Sequence, residues 1–178
     1  MSNAPKNKDR EELSRLREHL EQMKRNLIPL GVKLQEQFKE MAGPILYEML
    51  ESRAKTERYL DDPNPKNRCI AICLIDHHWG PDERFAIKCE KLIREDSDPE
   101  VRGCAVSCLG AYYGESNDVR IGRLFAELVF EESEPTLVRE AAYRALFSLR
   151  GLPIVFWPSL SRFRFPDDVD WVFVRTFL

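Results

Sequence analysis

Hydrophobic residues recur at helical spacing through most of this 178-residue chain. In residues 9–28 they follow steps of 3, 4, 3 and 4, which places one apolar stripe on a charged helix. The stripe comprises Leu13, Leu16, Leu20, Met23 and Leu27. Pro29 and Gly31 end it after about two heptads, so we favour a helix that caps the following helices over a dimerising coiled coil, and both interpretations stay open.

Beyond a second short helix at residues 32–41, three charged amphipathic helices are predicted at residues 44–59, 82–95 and 117–132. The second has apolar positions at Phe85, Ile87, Cys89, Leu92 and Ile93. The third has them at Val119, Ile121, Leu124, Phe125, Leu128 and Val129. Each of the three is followed by an acidic turn, a proline and another predicted helix.

A local pattern occurs three times at these following helices, with Pro65-x-x-Arg68, Pro99-x-x-Arg102 and Pro135-x-x-x-Arg139. The arginines are 34 and 37 residues apart, a period typical of stacked helical repeats. An alanine follows each arginine by three residues and a glycine by twelve. These are Ala71, Ala105 and Ala142, and Gly80, Gly114 and Gly151.

The turns and stops have a physical basis. An acidic residue stands before proline in Asp62-Pro63-Asn64-Pro65, Asp98-Pro99 and Glu134-Pro135, where a carboxylate can accept from the free N–H groups of a helix start. The three glycines are predicted to adopt the left-handed conformation that ends a helix.

These residues closely resemble the HEAT and HEAT-like repeat family, above all Asp98-Pro99-Glu100-Val101-Arg102 and the segment from Pro135 to Gly151. The copy at 62–80 departs from the pattern, with Asn67 where the other two have valine. The resemblance implies an all-α protein, a right-handed α-solenoid of about three hairpins whose second helices line the concave face. It also implies that the repeat arginines are structural and pair with turn acids: Arg68, Arg102 and Arg139 with Asp62, Asp96 or Asp98, and Glu134.

The predicted organisation is a disordered N-terminus (1–8), N-terminal capping helices (9–43), three repeats (44–80, 81–114 and 115–151) and a C-terminal cap (152–178). The C-terminal segment contains Trp157, an Arg-Phe-Arg-Phe run and a short predicted helix with Trp171, Val174 and Phe177. We favour a cap over the last repeat, with Asp167 or Asp168 at the helix start. A docking motif that uses Arg162 and Arg164 is the alternative.

Helical geometry separates two faces on the repeat helices. Positions 3, 4, 7 and 10 after each arginine should form the core: Ala71, Ile72, Ile75 and His78; Ala105, Val106, Leu109 and Tyr112; Ala142, Tyr143, Leu146 and Leu149. The opposite face is the predicted concave track, where a partner protein or peptide would bind. It comprises Cys69, Cys73 and His77; Gly103, Ser107 and Ala111; Glu140, Arg144 and Ser148.

Charge and composition narrow the function. Residues 61–132 carry 9 Lys and Arg against 15 Asp and Glu, and this acidic block argues against binding to nucleic-acid phosphates. The longest uncharged apolar stretch, 152–160, is too short to cross a membrane. The five cysteines follow no disulfide framework, which favours a reduced cytoplasmic protein. We expect a monomeric, non-catalytic binding module without a cofactor: an adaptor, regulatory subunit or inhibitor of the immunity type.

One alternative from another class remains open. Cys69, Cys73, His77 and His78 offer metal-ligand or nucleophile chemistry. Adjacent histidines on a helix point about 100° apart and no Cys-x-x-Cys pair is present, so we expect no metal and favour an exposed His77 beside a core His78. The chain contains no His-Glu dipeptide, which argues against the HEAT-like iron hydroxylases.

Overall fold

The computed structural model describes residues 43–158 and 162–178. These residues form helices and turns without a β-strand, which confirms the all-α class. The chain divides into two compact units, Met1–Tyr47 and Glu48–Leu178. The predicted disordered N-terminus and the helices at residues 9–28 and 32–41 lie outside the described residues, and the repeat and cap boundaries stay predictions.

The second unit is built from helices that pack in sequence. Its described α-helices are α1 (Arg53–Arg58), α2 (Pro65–Leu74), α3 (Glu83–Glu95), α4 (Pro99–Tyr112), α5 (Val119–Phe130), α6 (Thr136–Leu149) and α7 (Trp171–Arg175). Residues 48–51 are also helical. Helix α3 packs on α4 and α5 on α6, while α4 also lies against both α2 and α6. Helix α4 is therefore central.

The three charged amphipathic helices are found, with one correction. Helices α3 and α5 begin after Asp82 and Asp118, whose carboxylates accept from Phe85 N and Ile121 N. The predicted helix at 44–59 is instead interrupted at Ser52, which has extended backbone and caps α1. Val119 and Ile87, predicted as apolar contacts, are 78% and 61% exposed. The core face of α3 runs through positions 85, 86, 89, 92 and 93, which turns Ile87 outward.

Two of the three acidic turns work differently from the prediction. Asp98 caps α4 as expected, and Asn64 rather than Asp62 caps α2. Pro135 occupies the N-cap position of α6, where Glu134 makes no capping bond. The Glu134 carboxylate accepts from Arg102 instead, at 2.7 Å.

The helix stops also need correction. Gly80 and Gly151 have positive φ, +81° and +64°, but a ψ of 131° places Gly80 outside the predicted left-handed helical region. Gly114 has no positive φ, and Glu115 and Asn117 have φ of 61° and 53° in its place. Their N–H groups donate to the carbonyls of Ser148 and Leu149 at 2.9 and 3.1 Å. These bonds attach the turn after α4 to the end of α6.

The predicted core face is buried in the two later repeat helices, apart from a half-buried Tyr112. On α2, Ala71, Ile72 and Ile75 are fully buried, but the prediction of a core His78 is wrong because this residue is exposed. The helix widens into a π turn at Ile75–Trp79, which changes the direction of the following side chains. Trp79 packs on the core instead.

A buried threonine receives this tryptophan. Trp79 Nε1 donates to Thr56 Oγ1 at 2.9 Å, and Thr56 Oγ1 donates to the carbonyl of Met49 at 2.6 Å. Thr56 is fully buried, so its hydroxyl satisfies two groups that would otherwise lie unpaired in the core.

The repeat arginines link successive turns. Arg68 binds the Asp96 carboxylate through Nε and Nη2 at 2.8 and 2.7 Å, and its Nη1 donates to the carbonyl of Asp62 at 2.8 Å. Arg102 repeats the arrangement, with Nη1 on the Asp96 carbonyl at 3.0 Å and Nη2 on Glu134 at 2.7 Å. Each guanidinium thus joins a carbonyl of its own turn to the carboxylate of the next.

The implied pairing within one turn is therefore wrong. The carboxylate comes from the following turn, and the Asp62 and Asp98 side chains accept backbone or amide N–H groups nearby. Arg139 departs from the series, since its Nε donates to the Val129 carbonyl at 3.0 Å and its guanidinium lies 4.6 Å from the centre of the Phe165 ring.

The C-terminal residues pack on this unit. Val169 and Val174 are buried, and a chain of ring contacts runs from α6 through the C-terminal segment. The rings are Tyr143, Phe163, Phe165 and Trp171, with Phe147, Phe173 and Phe177. Asp170, rather than Asp167 or Asp168, caps α7 by accepting from Phe173 N at 3.0 Å.

Replacing Arg68 with methionine should lower the free energy of unfolding by about 3–5 kcal/mol, because the largely buried Asp96 carboxylate would lose its bidentate charged partner and keep only the hydrogen bond from the Asp98 N–H. The side chains are 12% and 6% exposed. Arg120→Met is the matched control: Arg120 also binds a carboxylate through two nitrogens but is 57% exposed, so its loss should cost less than about 1 kcal/mol. Urea unfolding measures both, and equal losses would contradict the linking role of Arg68.

Asp96 should also make the fold acid-sensitive. Burial opposes its ionisation, but hydrogen bonds from Arg68 and the Asp98 N–H and the charges of Arg68 and Arg102 outweigh burial and lower its pKa below the usual 3.8. The unfolded chain therefore binds this proton more readily, so the stabilisation is present above the ordinary pKa and is lost as the pH falls through the lowered value.

Urea unfolding between about pH 5 and about pH 2.5 should show this loss in the wild type and a smaller one in Asp96→Asn. Asp61→Asn removes a carboxylate that is 77% exposed and should keep the pH dependence of the wild type. If the free energy of unfolding of Asp96→Asn falls with pH as steeply as that of the wild type, other carboxylates cause the acid sensitivity.

Candidate functional site

A groove of about 550 Å³ runs between α4 and α6 and is bordered by the segment after α6. Its lining residues are Ser107, Gly110, Ala111, Ala141, Arg144, Ala145, Ser148, Ile154, Trp157 and Pro158. Seven of them are glycine, alanine, serine or isoleucine, so the lining is mostly small or apolar. A cleft of this size suits a few side chains of a ligand.

Small residues set the close approach of the two helices. An ideal Cβ placed on Gly110 would lie 2.7 Å from Ala145 Cβ, so this position has no room for a side chain. The two serine hydroxyls point to the backbone: Ser148 Oγ donates to the Gly110 carbonyl at 2.9 Å and Ser107 Oγ to the Gly103 carbonyl at 3.0 Å. The hydroxyl protons are thereby used within the protein.

Arg144 supplies a positive charge to this lining. Its side chain is 24% exposed, and its Nη2 lies 3.9 Å from Glu140 Oε2, which is beyond hydrogen-bond distance. Within the described part of the chain, its buried Nε has no hydrogen-bond partner. Arg144 is therefore a partly desolvated cation with donor capacity that the described residues leave unused.

An apolar turn forms one edge of the groove. Ile154, Val155 and Phe156 are 78%, 80% and 65% exposed. The following Trp157 is half-buried and donates from Nε1 to the Leu152 carbonyl at 2.7 Å. Three consecutive exposed apolar residues beside a cleft are typical of an interaction surface.

The predicted concave track is brought together in part. Ser107, Ala111, Arg144 and Ser148 all line the groove, and Glu140 lies one helical turn before Arg144. Gly103 was predicted on the open face, but it is buried, and Leu137 lies 3.5 Å from the position of its missing Cβ. Leu137 belongs to the neighbouring α6, so helix packing covers this position.

Sequence reasoning missed the contribution of Ile154, Trp157 and Pro158 to the groove. They belong to the uncharged apolar stretch at residues 152–160, which was predicted to be part of a cap over the last repeat. The available signal was the run of four apolar residues, 154–157, between two prolines.

Cys73 and His77 are exposed and do not line the groove. Cys73 belongs to a thiol cluster that also includes Cys69 of α2 and Cys104 of α4. His77 lies beside Cys73. A hydrogen bond from the Cys104 thiol and the nearby His77 lower the pKa of Cys73 to about 6, against the opposing effects of burial and Asp76. Burial raises the pKa of Cys69, and the hydrogen bond with Cys73 followed by burial raises that of Cys104.

All five cysteines are free. In residues 43–158 and 162–178, no group of three or more His, Cys, Asp or Glu side chains has an arrangement that would hold a metal ion. His78 makes an edge contact with the Trp79 ring at 4.5 Å between centres.

Comparisons with protein-family models, curated proteins and solved structures found no match to this chain. Across the described residues, no helix has the length and apolar character needed to cross a membrane.

Two glycines of α4 provide a matched test of how the groove is built. Gly110→Ala should destabilise the protein by about 1–3 kcal/mol, because the new methyl would meet Ala145 Cβ and a backbone Cα at 3.1 Å. Gly103→Ala meets Leu137 at an ordinary 3.5 Å and gains helix propensity, so its stability should be equal or higher. Thermal or urea unfolding measures both changes. Equal tolerance of the two alanines would contradict the close contact between α4 and α6.

Proposed function

We propose that this protein is a non-catalytic interaction module that binds a peptide segment of a partner protein in the groove between α4 and α6. In this proposal the unit is a right-handed α-solenoid of about three HEAT-like hairpins at residues 44–80, 81–114 and 115–151. The recurring turn-to-turn bonds of Arg68 and Arg102 support that interpretation, because one interaction repeats at successive turns. An adaptor, regulatory subunit or inhibitor would use such a surface.

The observation that carries the proposal is the combination of an apolar cleft with an incompletely paired cation. The small side chains of Ser107 and Ala111 leave room for a ligand near the helix backbone, and Ile154 and Trp157 offer apolar contact. Arg144 has donor capacity for an anion. A peptide with an apolar side chain next to a carboxylate fits both features by charge complementarity.

The surroundings of the groove support a protein partner over a nucleic acid. Residues 61–132 have an excess of six negative charges, which would repel a phosphate backbone. Five free thiols fit a cytoplasmic setting, where cysteines stay reduced. A monomer with one groove is the simplest form of the proposal.

The alternative function, an enzyme centred on Cys69, Cys73, His77 and His78, has one observation in its favour. Cys73 has a lowered pKa beside His77, and His77 Nδ1 lies 3.2 Å from Asp76 Oδ2. A thiol-based acyl transferase also needs N–H donors for the developing oxyanion. Cys73 lies inside α2, where the surrounding backbone N–H groups belong to the helix, so we favour binding over catalysis.

A random-peptide phage library supplies a defined probe for this proposal. Peptides selected on the wild-type protein should carry an acidic residue next to an apolar one. Arg144→Glu should weaken the binding of a selected synthetic peptide at least about tenfold, or about 1.4 kcal/mol, because it reverses the charge. Ser107→Trp should weaken the binding to a similar extent, because the larger side chain fills the cleft. Calorimetry measures both affinities.

Two substitutions outside the groove serve as matched controls. Arg84→Glu repeats the charge reversal at an exposed position of α3, and Glu127→Trp repeats the added bulk at an exposed position of α5. Both should keep the affinity within about twofold, less than about 0.4 kcal/mol. Failure to select any peptide, or selected peptides that bind both groove variants like the wild type, would overturn the proposal.

A further inference from the structure

The thiol cluster is independent of the groove and has its own geometry. Cys69 and Cys73 are four residues apart on α2 and therefore lie on one side of that helix. Cys104 comes from α4, which packs against α2, and its thiol interacts with both of the other thiols. Cys73 is exposed, whereas Cys69 and Cys104 are half-buried. One accessible sulfur thus has a shielded sulfur in contact with it.

The Cys104 thiol and His77 favour the Cys73 thiolate, and Asp76 opposes it. His77 lies on the next turn of the same helix, with Nδ1 3.2 Å from Asp76 Oδ2. Asp76 is 8% exposed, and it and Cys104 of α4 are the other groups that act on Cys73. The π turn at Ile75–Trp79 carries both Asp76 and His77, and such turns occur often at functional sites.

The remaining cysteines differ in reactivity. Burial raises the pKa of Cys89 to about 12 and that of Cys108 still further, and both residues are buried. Thiolate character and access to solvent together determine which cysteine an oxidant attacks. Both are combined at Cys73.

We propose that Cys73 is an oxidation site for peroxides, at which the sulfur forms a sulfenic acid and then a disulfide with Cys104. In the first step the Cys73 thiolate attacks a peroxide oxygen, so that an S–O bond forms and the O–O bond breaks. The sulfur loses two electrons, the peroxide gains them, and the departing alkoxide or hydroxide takes a proton from water.

In the second step Cys104 resolves the sulfenic acid. The Cys104 sulfur attacks the Cys73 sulfur, an S–S bond forms and the S–O bond breaks, and the leaving hydroxide departs as water with the Cys104 proton. Overall, two thiols and one peroxide give a disulfide, an alcohol or water, and one water. The product would join α2 to α4 covalently.

Peptide mapping by mass spectrometry after treatment of the full-length protein with one equivalent of hydrogen peroxide tests the pairing. The wild type should lose two hydrogens and yield a Cys73–Cys104 cross-linked peptide. Cys104→Ser should stop at a sulfenic acid that dimedone traps on Cys73, and Cys73→Ser should form neither product. Cys69→Ser, which removes the neighbouring half-buried thiol, is the matched control and should behave like the wild type.

The pH profile of iodoacetamide alkylation, followed peptide by peptide in the unmodified protein, provides a second readout that needs no variant. Cys73 should react with a midpoint near pH 6, because its thiolate forms there. Cys69 should react only at a pH above 9.0, the ordinary pKa of a thiol, because burial raises its pKa. His77→Ala should move the Cys73 midpoint upward, since the interaction with His77 lowers the pKa of Cys73.

Three results would contradict oxidation at Cys73. A Cys73 midpoint near that of an ordinary thiol, a peroxide product on another cysteine, or a disulfide that pairs Cys69 with Cys104 would overturn the proposal. The mapping of the wild type remains informative even if a serine variant fails to fold. Loss of peptide binding in the groove has no bearing on this result, so the two proposals are tested separately.

Discussion

The guanidinium groups of Arg68 and Arg102 are the interaction on which the described fold depends. Each connects a carbonyl of its own turn with the carboxylate of the next, so the spacing between successive turns is fixed by one planar group. Bidentate binding at Asp96 adds direction as well as energy. Because these side chains are largely buried, loss of either partner leaves an unpaired charge. The bond therefore determines registry more than it adds net stability.

This registry positions the groove. Asp96 lies three residues before the start of α4, and Glu134 lies two residues before the start of α6, so Arg102 connects the turns that lead into the two helices that line the cleft. At the other end, the Glu115 N–H donates to the Ser148 carbonyl, which ties the end of α4 to the end of α6. Gly110, which lies in the last turn of α4, allows the two helices to approach closely beside Ala145. The cleft is thus a consequence of backbone spacing and small side chains.

The sequence was sufficient for the helices and the main core faces, because periodicity and prolines act locally. It failed where the outcome depends on a neighbour. His78 is displaced from the core by a π turn whose Trp79 finds a hydroxyl on α1, and Gly103 is covered by Leu137 of another helix. Neither event has a signal within its own helix. The arginine partners were wrong by one turn for the same reason, since the nearest acid in sequence is not the nearest in space.

The predicted concave track is divided between two regions, one at the junction of α4 with α2 and one at its junction with α6. Cys104, Ser107 and Ala111 follow each other on this helix by three and four residues, so they form one stripe. Toward α2 the stripe meets thiols, and Cys104 is in contact with Cys73. Toward α6 it meets an open cleft. A repeat pattern shows which positions are equivalent along the chain, but the neighbouring helix determines what each position does. The same stripe therefore borders the thiols of α2 at one junction and the cleft beside α6 at the other.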